Sequence, residues 1–574
     1  MTDTDSIFCA SRSVRNRDWK ARELPYVLPP EGVDPVAARI AAARGAADLD
    51  SYFFPNFRSS MPDPFLLDGM ENATKRIWKA VQGNESIAIL GDYDVDGASS
   101  TAMLVRLLNM AGHSEKIKWS IPDRMIDGYG PNERLIDEVK AESEATLLIL
   151  LDSGTAAIKP VHHARAAGMD VVIIDHHEPQ AERPDAILVN PKCQDDRTLD
   201  GLCTAGLVFL LAVALRRHAR SSEGRTDFPD IRSLLGLAAL ATVADVVPLT
   251  GLNRAYVSLG VPRIVDIPGL KVLMEVTGET EPTVHGCGFV LAPCINAAGR
   301  IGTMHDGVRL LLTDSVDECK DIANSLHATN LERRDMQKRA LEEALAAVDS
   351  EAKAIILQNP SWHPGIVGLI ASKLREVYDR PAIIIGEHGK GSARTVEGFD
   401  IGSVIIEAAA KGLLLKGGGH KAAAGLTMDP AKFDDFSHFV LEAISDFEHP
   451  SFTADLIITP GEMTVETALA LKSMEPFGQG NPKPRIAVIG GTCIRTSILK
   501  QAHIKITVEG SSGIMEAIAF NAVETQIGKA MLSSEGRRID LYGTIEVSYW
   551  AGTSTVSIKP EDVMIGPELS VAAA

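Results

Sequence analysis

Short, continuous apolar runs alternate with helical patterns between about residues 86 and 245. The runs SIAILG, TLLILLD and DVVIID each end in Gly or Asp. Buried parallel strands read as continuous apolar runs because helices cover both faces of their sheet. The pattern predicts an α/β domain with a parallel sheet, in which ligands collect at the carboxyl ends of the strands.

The rest of the chain divides into a long helix, a second α/β unit and a set of short strands. Residues 324–348 read as a charged helix that connects domains, and residues 352–448 contain the strand patterns AKAIIL and PAIIIG and the glycine cluster KGGGHKAAAG. After residue 450, five or six short strands with turn signals predict a small β-barrel of the OB type. The predicted domains are 1–50 (a segment that packs on the core), 51–322 (the first α/β domain), 323–350 (the connecting helix), 351–449 (the second α/β domain) and 450–574 (the barrel).

Composition and charge limit the class of protein. The 574 residues are 45% hydrophobic and 23% charged, which is typical of ordered globular domains. No stretch suits a signal peptide or a membrane span, so we expect a cytoplasmic protein. The seven cysteines form no CxxC pair and are expected to be buried thiols. The net charge of −19 argues against a uniformly basic surface and is compatible with carboxylates gathered around divalent metals.

The motif GDYDVDG places Asp92, Asp94 and Asp96 directly after the first predicted strand. Alternate residues of an extended segment point the same way, so the three carboxylates can face one site, and hard oxygen ligands suit Mg²⁺ or Mn²⁺. One alternative is an acidic turn in which an Asp caps the next helix. Another is the haloacid-dehalogenase signature DxDG, in which the first Asp is a nucleophile, but that interpretation gives no role to the histidines downstream.

Acidic and imidazole side chains also follow the later strands and a helix. Asp152 ends TLLILLD, the sequence Asp175-His176-His177 ends DVVIID, and Asp245 lies where a helix predicted over 233–247 ends. Each has an ordinary structural alternative: a turn residue, a solvated loop histidine or a helix-terminal Asp. Imidazole favours Mn²⁺ over Ca²⁺, so these residues together predict a metal site at the carboxyl edge of the sheet.

In order, DYDVDG, LLD, DHH and ADVVPL resemble the motif series of the DHH phosphoesterase family. Further segments resemble its single-strand-specific exonucleases: IPDRMIDGYGPN, INAAGRIG, WHPGIVGLIASKL, GSAR, GGGHKAAAG and EPFGQGNPKP. The resemblance runs from about residue 11 to about residue 562. It implies an α/β fold with a parallel-sheet DHH catalytic domain, a long connecting helix, a second α/β DHH-associated domain and a C-terminal OB-like β-barrel.

Carried over residue by residue, the resemblance implies a catalytic centre with two divalent metal ions, Mn²⁺ or Mg²⁺. Asp94 and Asp96 would each serve one ion, Asp152 would bridge them, and His176 and Asp245 would complete the second. His177 is either a ligand or a substrate contact, while Asp175 orients a histidine through its other ring nitrogen. The implied catalytic residues are Asp94, Asp96, Asp152, His176 and His177, and the implied metal ligands are Asp92, Asp94, Asp96, Asp152, His176 and Asp245.

Two positions depart from the family pattern. Ser153 follows Asp152 where related exonucleases often carry Asn or Cys, which leaves the acid in place. Leu90 stands where the wider family often has a His, four residues before the DxD pair. For that reason we expect one metal to have a poorer ligand set, with Asp92 as the residue that supplies the missing contact.

The resemblance also implies where the substrate binds. Backbone NH groups of the glycine cluster and the side chain of His420 would hold a phosphate, because glycine lets the main chain approach an anion closely. Arg300 in NAAGR and Arg394 in GSAR are candidates for contacts with backbone phosphates at the 5′ end. A helix-capping glycine turn and ordinary interdomain ion pairs are the structural alternatives. The predicted substrate-binding residues are Arg300, Ser392, Arg394, Gly418, Gly419 and His420.

The implied activity is 5′-to-3′ hydrolysis of single-stranded DNA to 5′-mononucleotides by a two-metal mechanism, in DNA repair and recombination. The implied partners are single-stranded DNA, a single-strand-binding protein and a helicase, with no membrane and a monomeric state. One alternative is a DHH phosphodiesterase of short oligonucleotides or cyclic dinucleotides, against which the added barrel counts. The other is a non-catalytic nucleic-acid-binding replication scaffold, which predicts missing ligands, whereas the main acids and His176 are all present.

Overall fold

The computed structural model describes residues 8–10, 13–123, 126–225, 228–349, 351–444, 450–550 and 553–568. The chain forms two units, one of Met1–Phe54, Ser445–Phe477 and Pro482–Ala574, the other of Pro55–Ile444 and Gly478–Asn481. Each unit has its own hydrophobic core. Within the described ranges, no helix is long and apolar enough to cross a membrane. The cysteines are free thiols, and five of the seven are buried, as predicted, whereas Cys9 and Cys193 are partly exposed.

The N-terminal segment belongs to the same unit as the C-terminal strands. It contains β1 (Trp19–Ala21), α1 (Pro35–Ala43) and α2 (Leu49–Phe53). Helix α1 is capped by the side chain of Asp34 and buries Ala37 and Ile40 among the core residues of the C-terminal strands. The sequence predicts only that this segment packs on the core, and the core it contacts is the C-terminal one.

The first α/β domain alternates strands with helices as the sequence predicts. Its elements are α3 (Phe57–Ser60), α4 (Met70–Gln82), β2 (Ile87–Leu90), α5 (Val95–Met110), β3 (Ile117–Ser120), α6 (Glu133–Ser143), β4 (Leu147–Leu151), α7 (Ile158–Ala166), β5 (Asp170–Ile174), β6 (Ile187–Val189) and α8 (Thr204–Glu223). The five strands are parallel, in the order β3-β2-β4-β5-β6.

Both faces of this sheet are buried. Along β4, Leu147 and Ile149 face the core that α4, α5 and α8 share, whereas Leu148 and Leu150 face the smaller core under α6 and α7. Because both faces are covered, every residue of β2 and β4 is apolar, which is the continuous run that the sequence shows. The carboxyl ends of β2, β4 and β5 therefore lie side by side at one edge.

A helical region completes this domain. It contains α9 (Leu235–Ala244), α10 (Gly251–Gly260), α11 (Pro268–Thr277), α12 (Val284–Gly286), a π-helical turn over Cys287–Leu291, α13 (Ala292–Ile301), α14 (Asp306–Leu312) and α15 (Val316–Ala347). Helix α15 is the predicted long connecting helix. It begins before the predicted start at residue 324, because Ser315 caps it by accepting a hydrogen bond from the backbone NH of Glu318.

The second α/β domain has a mixed sheet. Its elements are β7 (Ile355–Gln358), α16 (Val367–Tyr378), β8 (Ala382–Ile385), β9 (Lys390–Arg394), α17 (Ile401–Ala410), β10 (Lys416–His420), β11 (Ala423–Thr427) and α18 (Phe433–Ala443). The strand order is β10-β11-β9-β8-β7, and only β7 and β8 are parallel. The glycine cluster is thus the edge strand β10 of a hairpin, and the alternative of a helix-capping glycine turn is wrong.

The C-terminal region is a closed barrel. Its elements are β12 (Phe452–Ala454), β13 (Leu456–Ile458), α19 (Val465–Lys472), β14 (Arg485–Leu499), β15 (His503–Gly510), β16 (Gly513–Ala519), α20 (Gln526–Leu532), β17 (Arg537–Trp550) and β18 (Thr553–Glu568). The order β14-β15-β16-β18-β17 closes by pairing of β17 with β14, which confirms the predicted OB-like barrel. Strand β1 pairs in parallel with β12.

Candidate metal centre

Most of the predicted metal ligands lie at the carboxyl ends of three adjacent strands. Asp92 follows β2, Asp152 directly follows β4, and His176 and His177 follow β5. Asp245 does not follow a strand, because it lies directly after the last residue of α9. Because β4 pairs with both β2 and β5, these side chains are brought to one rim of the sheet.

The three acids of GDYDVDG do not lie on one extended segment, so that part of the prediction is wrong. Helix α5 begins at Val95, immediately after Asp94, and Asp96 lies in its first turn. Asp94 is the cap of this helix and accepts hydrogen bonds from the backbone NH groups of Asp96 and Gly97, both at 3.0 Å. The helix-cap alternative therefore describes one role of Asp94 correctly, and a short strand-to-helix turn explains the change of direction.

This turn divides the acids between two groups of possible ligand atoms. Asp92, Asp94 and Asp152 form one group, and Asp96, His176 and Asp245 form another, with the ligand atoms in each group within 4.8 Å of one another. Asp152 is also grouped with His176 and His177. The division supports the prediction that Asp94 and Asp96 serve different ions, that Asp152 lies between them, and that Asp92 compensates for Leu90.

His176 contacts the acids of both groups. Its Nε2 atom lies 3.3 Å from Oδ1 of Asp152, 3.6 Å from Oδ2 of Asp245 and 3.8 Å from Oδ2 of Asp96. The haloacid-dehalogenase alternative has no use for this imidazole. An imidazole among three carboxylates is a donor set that suits Mn²⁺ as well as Mg²⁺.

Two residues at this site have an unfavourable backbone conformation. Asp152 has φ = 59° and Val246, next to Asp245, has φ = 57°, both in the left-handed region. That conformation is uncommon for Asp and unfavourable for a β-branched residue such as Val. Such strain costs of order 1–3 kcal/mol per residue and persists where the surrounding structure enforces it, which is common at functional sites.

Asp175 orients His177, which confirms that it acts on a histidine and identifies which one. Its Oδ1 atom lies 2.7 Å from Nδ1 of His177 and accepts hydrogen bonds from the backbone NH groups of His176 and His177. Tyr129 Oη lies almost equally far from the two ring nitrogens of His177, 3.1 Å from Nδ1 and 3.0 Å from Nε2, and donates to the backbone carbonyl of Asp152 at 3.0 Å. His177 therefore contacts both Asp175 and Tyr129 at its half-exposed position.

Three polar residues at the site are absent from the sequence predictions. Tyr129 contacts His177 from the segment IPDRMIDGYGPN, which resembles the family as a whole and predicts no role for any one of its residues. Thr204, the first residue of α8, donates its hydroxyl hydrogen to Asp152. Asn190 donates to the hydroxyl oxygen of Thr155 and to the carbonyl of His177, both at 2.9 Å. A Thr at the start of an apolar helix and an Asn after a short strand are too common as capping residues to signal this role.

Burial and mutual repulsion determine the pKa values of the acids at this site. Burial, and then the charges of Asp96 and Asp94, raise the pKa of Asp152 well above its usual range and that of Asp245 to about 8. Burial also raises the pKa of Asp94. Among the described residues, no Lys or Arg forms an ion pair with these three or with Asp96. An excess of buried carboxylates without a protein cation fits divalent metal ions, which would supply the missing positive charge.

The two histidines differ electrostatically. Burial lowers the pKa of His176, which favours the neutral imidazole that a metal needs as ligand. Burial alone would also lower the pKa of His177, but its hydrogen bond to Asp175 and the charge of that carboxylate outweigh burial and raise it. The contrast supports His176 as a ligand and His177 as a group that contacts substrate.

A separate cleft of about 370 Å³ collects three of the predicted substrate-binding residues. Arg300, Ser392 and Arg394 line it, together with Lys390 and Gly425. Arg300 donates to the carbonyl of Gly365 at 2.9 Å, and Arg394 donates to the hydroxyl of Ser392 at 2.8 Å. Among the described residues Arg394 has no carboxylate partner, since its hydrogen bonds go to the hydroxyl of Ser392 and the carbonyl of Ala393, and burial lowers its pKa. The cleft therefore presents cations, hydroxyls and no acid, as a phosphate site requires.

The glycine cluster is beside this cleft but does not line it. Gly418, Gly419 and His420 lie on the edge strand β10, and the cleft instead contains Gly425, the cross-strand partner of Gly418. A Cβ atom added at Gly418 or Gly425 would meet nothing within 4 Å. Main chain is therefore openly accessible at this pair.

Comparison with known proteins matches three regions of the chain to known domain families. The DHH family, N-terminal domain matches residues 86–242, the DHHA1 domain matches residues 351–446, and the RecJ OB domain matches residues 454–562. These matches agree with the fold class predicted from the sequence.

Relatives extend the similarity to more than nine tenths of the chain. The single-stranded-DNA-specific exonuclease RecJ of Escherichia coli is 32% identical over 94% of this chain and 97% of its own length, and that of Bacillus subtilis is 33% identical over 93% and 68%. The crystal structure of Thermus thermophilus RecJ in complex with Mn²⁺ matches with a TM-score of 0.82 and 29% identity, covering 96% of this chain and 80% of that one. A Mg²⁺ complex of the same protein gives a TM-score of 0.76 at 27% identity, covering 96% and 79%. From the three matched domains, the paired ligand groups and this end-to-end similarity, we conclude that the chain belongs to the RecJ family of single-stranded-DNA-specific exonucleases.

Proposed function

We propose that this protein is a Mn²⁺- or Mg²⁺-dependent exonuclease that degrades single-stranded DNA from the 5′ end and releases 5′-mononucleotides. The observation that carries the proposal is the pair of ligand groups at the sheet edge, in which every predicted metal ligand is present. The relatives of this chain are named for the same activity. A decayed scaffold would have lost ligands, but all the predicted acids and His176 converge. The cellular role that goes with this activity is DNA repair and recombination.

The residues of the metal centre have different proposed roles. Asp92, Asp94 and Asp152 would hold one ion, and Asp96, His176 and Asp245 the other, with Asp152 between them. When bound, two such ions lower the pKa of an attacking water and stabilise the charge that develops on the phosphate. Asp175 and Tyr129 keep the ring of His177 in one orientation, from which its half-exposed side chain contacts the scissile phosphate.

The cleft around Arg394 would hold the 5′ end of the strand. A guanidinium without a carboxylate partner can bind a terminal phosphate through two parallel hydrogen bonds, and the Ser392 hydroxyl already orients it. Arg300 on α13 and Lys390, at the other end of the strand β9 that carries Arg394, add positive charge. The open main chain at Gly418 and Gly425 gives a phosphate or sugar room to approach the hairpin.

The barrel would carry the following nucleotides on its outer face. The register of β14 and β15 pairs Leu499 with His503. The ring of His503 packs edge-on against that of Phe520, the residue after β16, with ring centroids 5.3 Å apart, and Phe520 is 54% exposed. OB-folds bind single strands through stacked aromatic rings and local positive charge. Tyr542 does not serve this role, because it is buried and its hydroxyl donates to the carbonyl of Thr453, and the side chains of Tyr549 and Trp550 lie outside the described residues.

The proposal includes the cellular setting. A nuclease that needs single strands requires a helicase to supply them and meets a single-strand-binding protein on them. We propose that it acts in the cytoplasm as a monomer, because both ligand groups and the phosphate cleft are built from one chain.

Polarity and product test the proposal. Wild-type protein is incubated with Mn²⁺ and a single-stranded oligonucleotide labelled at either the 5′ or the 3′ end. We expect the 5′ label to appear at once as a mononucleotide, while the 3′ label shortens in steps. Release of the 3′ label first, or cleavage restricted to di- and trinucleotides, would contradict the proposal in favour of another DHH phosphodiesterase. Binding without cleavage would favour the scaffold.

A further inference from the structure

Helix α8 begins against the metal centre without a cap of its own. The residue before it, Cys203, makes no side-chain capping hydrogen bond. Instead, Asp96 accepts hydrogen bonds from the backbone NH of Thr204 at 2.7 Å and from that of Ala205 at 2.8 Å, one on each carboxylate oxygen. The first NH groups of a helix lack partners within the helix. A proposed metal ligand from α5 therefore caps a helix from another part of the chain.

Thr204 makes a second contact, with a different proposed ligand. Its hydroxyl donates to Oδ1 of Asp152 at 2.9 Å. The same oxygen lies 3.3 Å from Nε2 of His176. Thr204 is fully buried, and Asp96 and Asp152 are 1% and 2% exposed, so water does not compete for these hydrogen bonds.

We propose that Thr204 is a positioning residue that sets the spacing between the two ligand groups. Its backbone NH fixes Asp96, which belongs to the group with His176 and Asp245. Its hydroxyl fixes Asp152, which belongs to the group with Asp92 and Asp94. One residue at the rigid start of a 20-residue helix thus ties a carboxylate of each group to the same point. This inference rests on the proposed metal centre and adds a residue that belongs to neither ligand group.

The chemistry of the contact makes the proposal specific. Backbone NH groups are present in any variant, so substitution of Thr204 tests the hydroxyl alone. Valine has the shape of threonine without a donor, and it would leave Oδ1 of Asp152 free to rotate. Serine keeps the donor and loses only a methyl group. Loss of a hydrogen bond that orients a metal ligand typically costs about 10- to 100-fold in metal affinity or activity.

The test measures Mn²⁺ binding without DNA, by the electron paramagnetic resonance signal of free Mn²⁺, in wild type, Thr204→Val and Thr204→Ser. Thr74→Val is the matched control, because Thr74 is equally buried but its hydroxyl donates only to the carbonyl of Met70 in its own helix. Melting temperatures of the metal-free proteins show that each variant is folded. If valine destabilises α8, Thr204→Ala gives the same comparison, because alanine favours helix.

We expect Thr204→Val to bind at least one Mn²⁺ about 10- to 100-fold more weakly, with Thr204→Ser within about threefold of wild type. At saturating metal, kcat on single-stranded DNA should fall while KM is unchanged. Wild-type affinity in Thr204→Val, or equal losses in the valine and serine variants, would overturn the inference while leaving the proposed function intact. Failure of wild-type protein to bind Mn²⁺ would overturn both.

Discussion

At the scale of single residues, the charge state of the metal centre depends on pH. Burial and the neighbouring carboxylates Asp96 and Asp94 raise the pKa of Asp245 to about 8, and burial and the same neighbours raise that of Asp152. Between the ordinary pKa of an Asp, about 4, and these raised values, the metal-free folded chain holds protons that the unfolded chain has released. The stability of the metal-free protein therefore falls as pH rises through this window, and bound metals offset that loss.

The pH dependence of metal binding tests whether these acids hold protons in the metal-free protein. Metal must displace the bound protons, so Mn²⁺ affinity should fall by up to about tenfold per pH unit for each proton released between about pH 8 and about pH 6. Correspondingly, Mn²⁺ should raise the melting temperature more at pH 8 than at pH 6. Titration calorimetry in buffers of different ionisation enthalpy counts the protons. A dissociation constant that is the same at both pH values would show that the acids are ionised without metal.

The hydroxyl of Tyr129 is a second single-residue test. Tyr129→Phe removes the contacts with Nε2 of His177 and with the carbonyl of Asp152 and leaves the ring in place. One hydrogen bond contributes about 0.5–1.5 kcal/mol, so we expect kcat to fall by roughly 2- to 12-fold. Tyr378→Phe, at the end of α16, is the control and should behave as wild type. Wild-type kcat in Tyr129→Phe would mean that Asp175 alone orients His177.

Sequence reasoning finds the residues of this site that follow strands and misses those that support them. Asp92, Asp152 and His176 are predictable because the ends of parallel strands meet at one edge of a sheet. Thr204 is not, since its role depends on where α8 begins relative to Asp152, a tertiary relation between residues 52 positions apart. The left-handed conformation of Asp152 likewise cannot be predicted from the sequence, because Asp is tolerated in many kinds of turn.

At the scale of elements, the hairpin β10–β11 can be tested by a single methyl group. Gly418 has ordinary backbone angles and a Cβ atom there would meet nothing within 4 Å, so Gly418→Ala should leave the melting temperature unchanged. If the substrate approaches the main chain at this point, the methyl group obstructs it, and KM for single-stranded DNA should rise several-fold with little change in kcat. Steady-state kinetics on an oligonucleotide distinguish the two parameters. Unchanged KM would remove β10 from the substrate path.

The elements show which local signals are reliable. The parallel strands and the barrel follow from apolar runs and turn residues. The glycine cluster is predicted only as a phosphate-binding segment, and the low β-propensity of glycine gives no signal for a strand there. It forms strand β10 nonetheless, because all five of its residues pair with β11. Helix α17 packs against it so closely that a Cβ atom at Gly402 would lie 2.6 Å from the carbonyl oxygen of His420. The early start of α15 was signalled by Ser315 and Glu318, a capping pattern three residues apart.

At the scale of the whole molecule, the two units have separate cores and should respond to different perturbations. In the N-terminal and barrel unit, Asp455 is buried and bonds Arg44 at 2.5 Å and Arg22 at 2.7 Å. Burial alone would raise the pKa of Asp455, but its hydrogen bond to Arg44 and the charge of Arg44 lower it. Its contribution to stability is therefore present above the ordinary pKa of an Asp and is lost as pH falls through the lowered value.

Asp455→Asn leaves both arginines without their carboxylate. Removing one partner of a buried ion pair lowers the free energy of unfolding by about 3–5 kcal/mol. We expect the substitution to lower the temperature of the calorimetric unfolding transition of the barrel unit. The transition whose temperature Mn²⁺ raises should stay unchanged. Glu509→Gln, an exposed substitution on β15, is the control. A single transition that both Mn²⁺ and Asp455→Asn shift together would show that the two units unfold as one.

The central claim is that the acids at the sheet edge form a metal centre that hydrolyses single-stranded DNA, and Asp152→Asn tests it most directly. Asparagine tolerates the left-handed conformation at this position, so the backbone is kept while one charge is lost. The measurement is mononucleotide release from single-stranded and duplex DNA with Mn²⁺, with exposed Asp185→Asn as control. The account predicts release from single strands only, abolished by Asp152→Asn and retained in the control. Release by Asp152→Asn at the wild-type rate would contradict it.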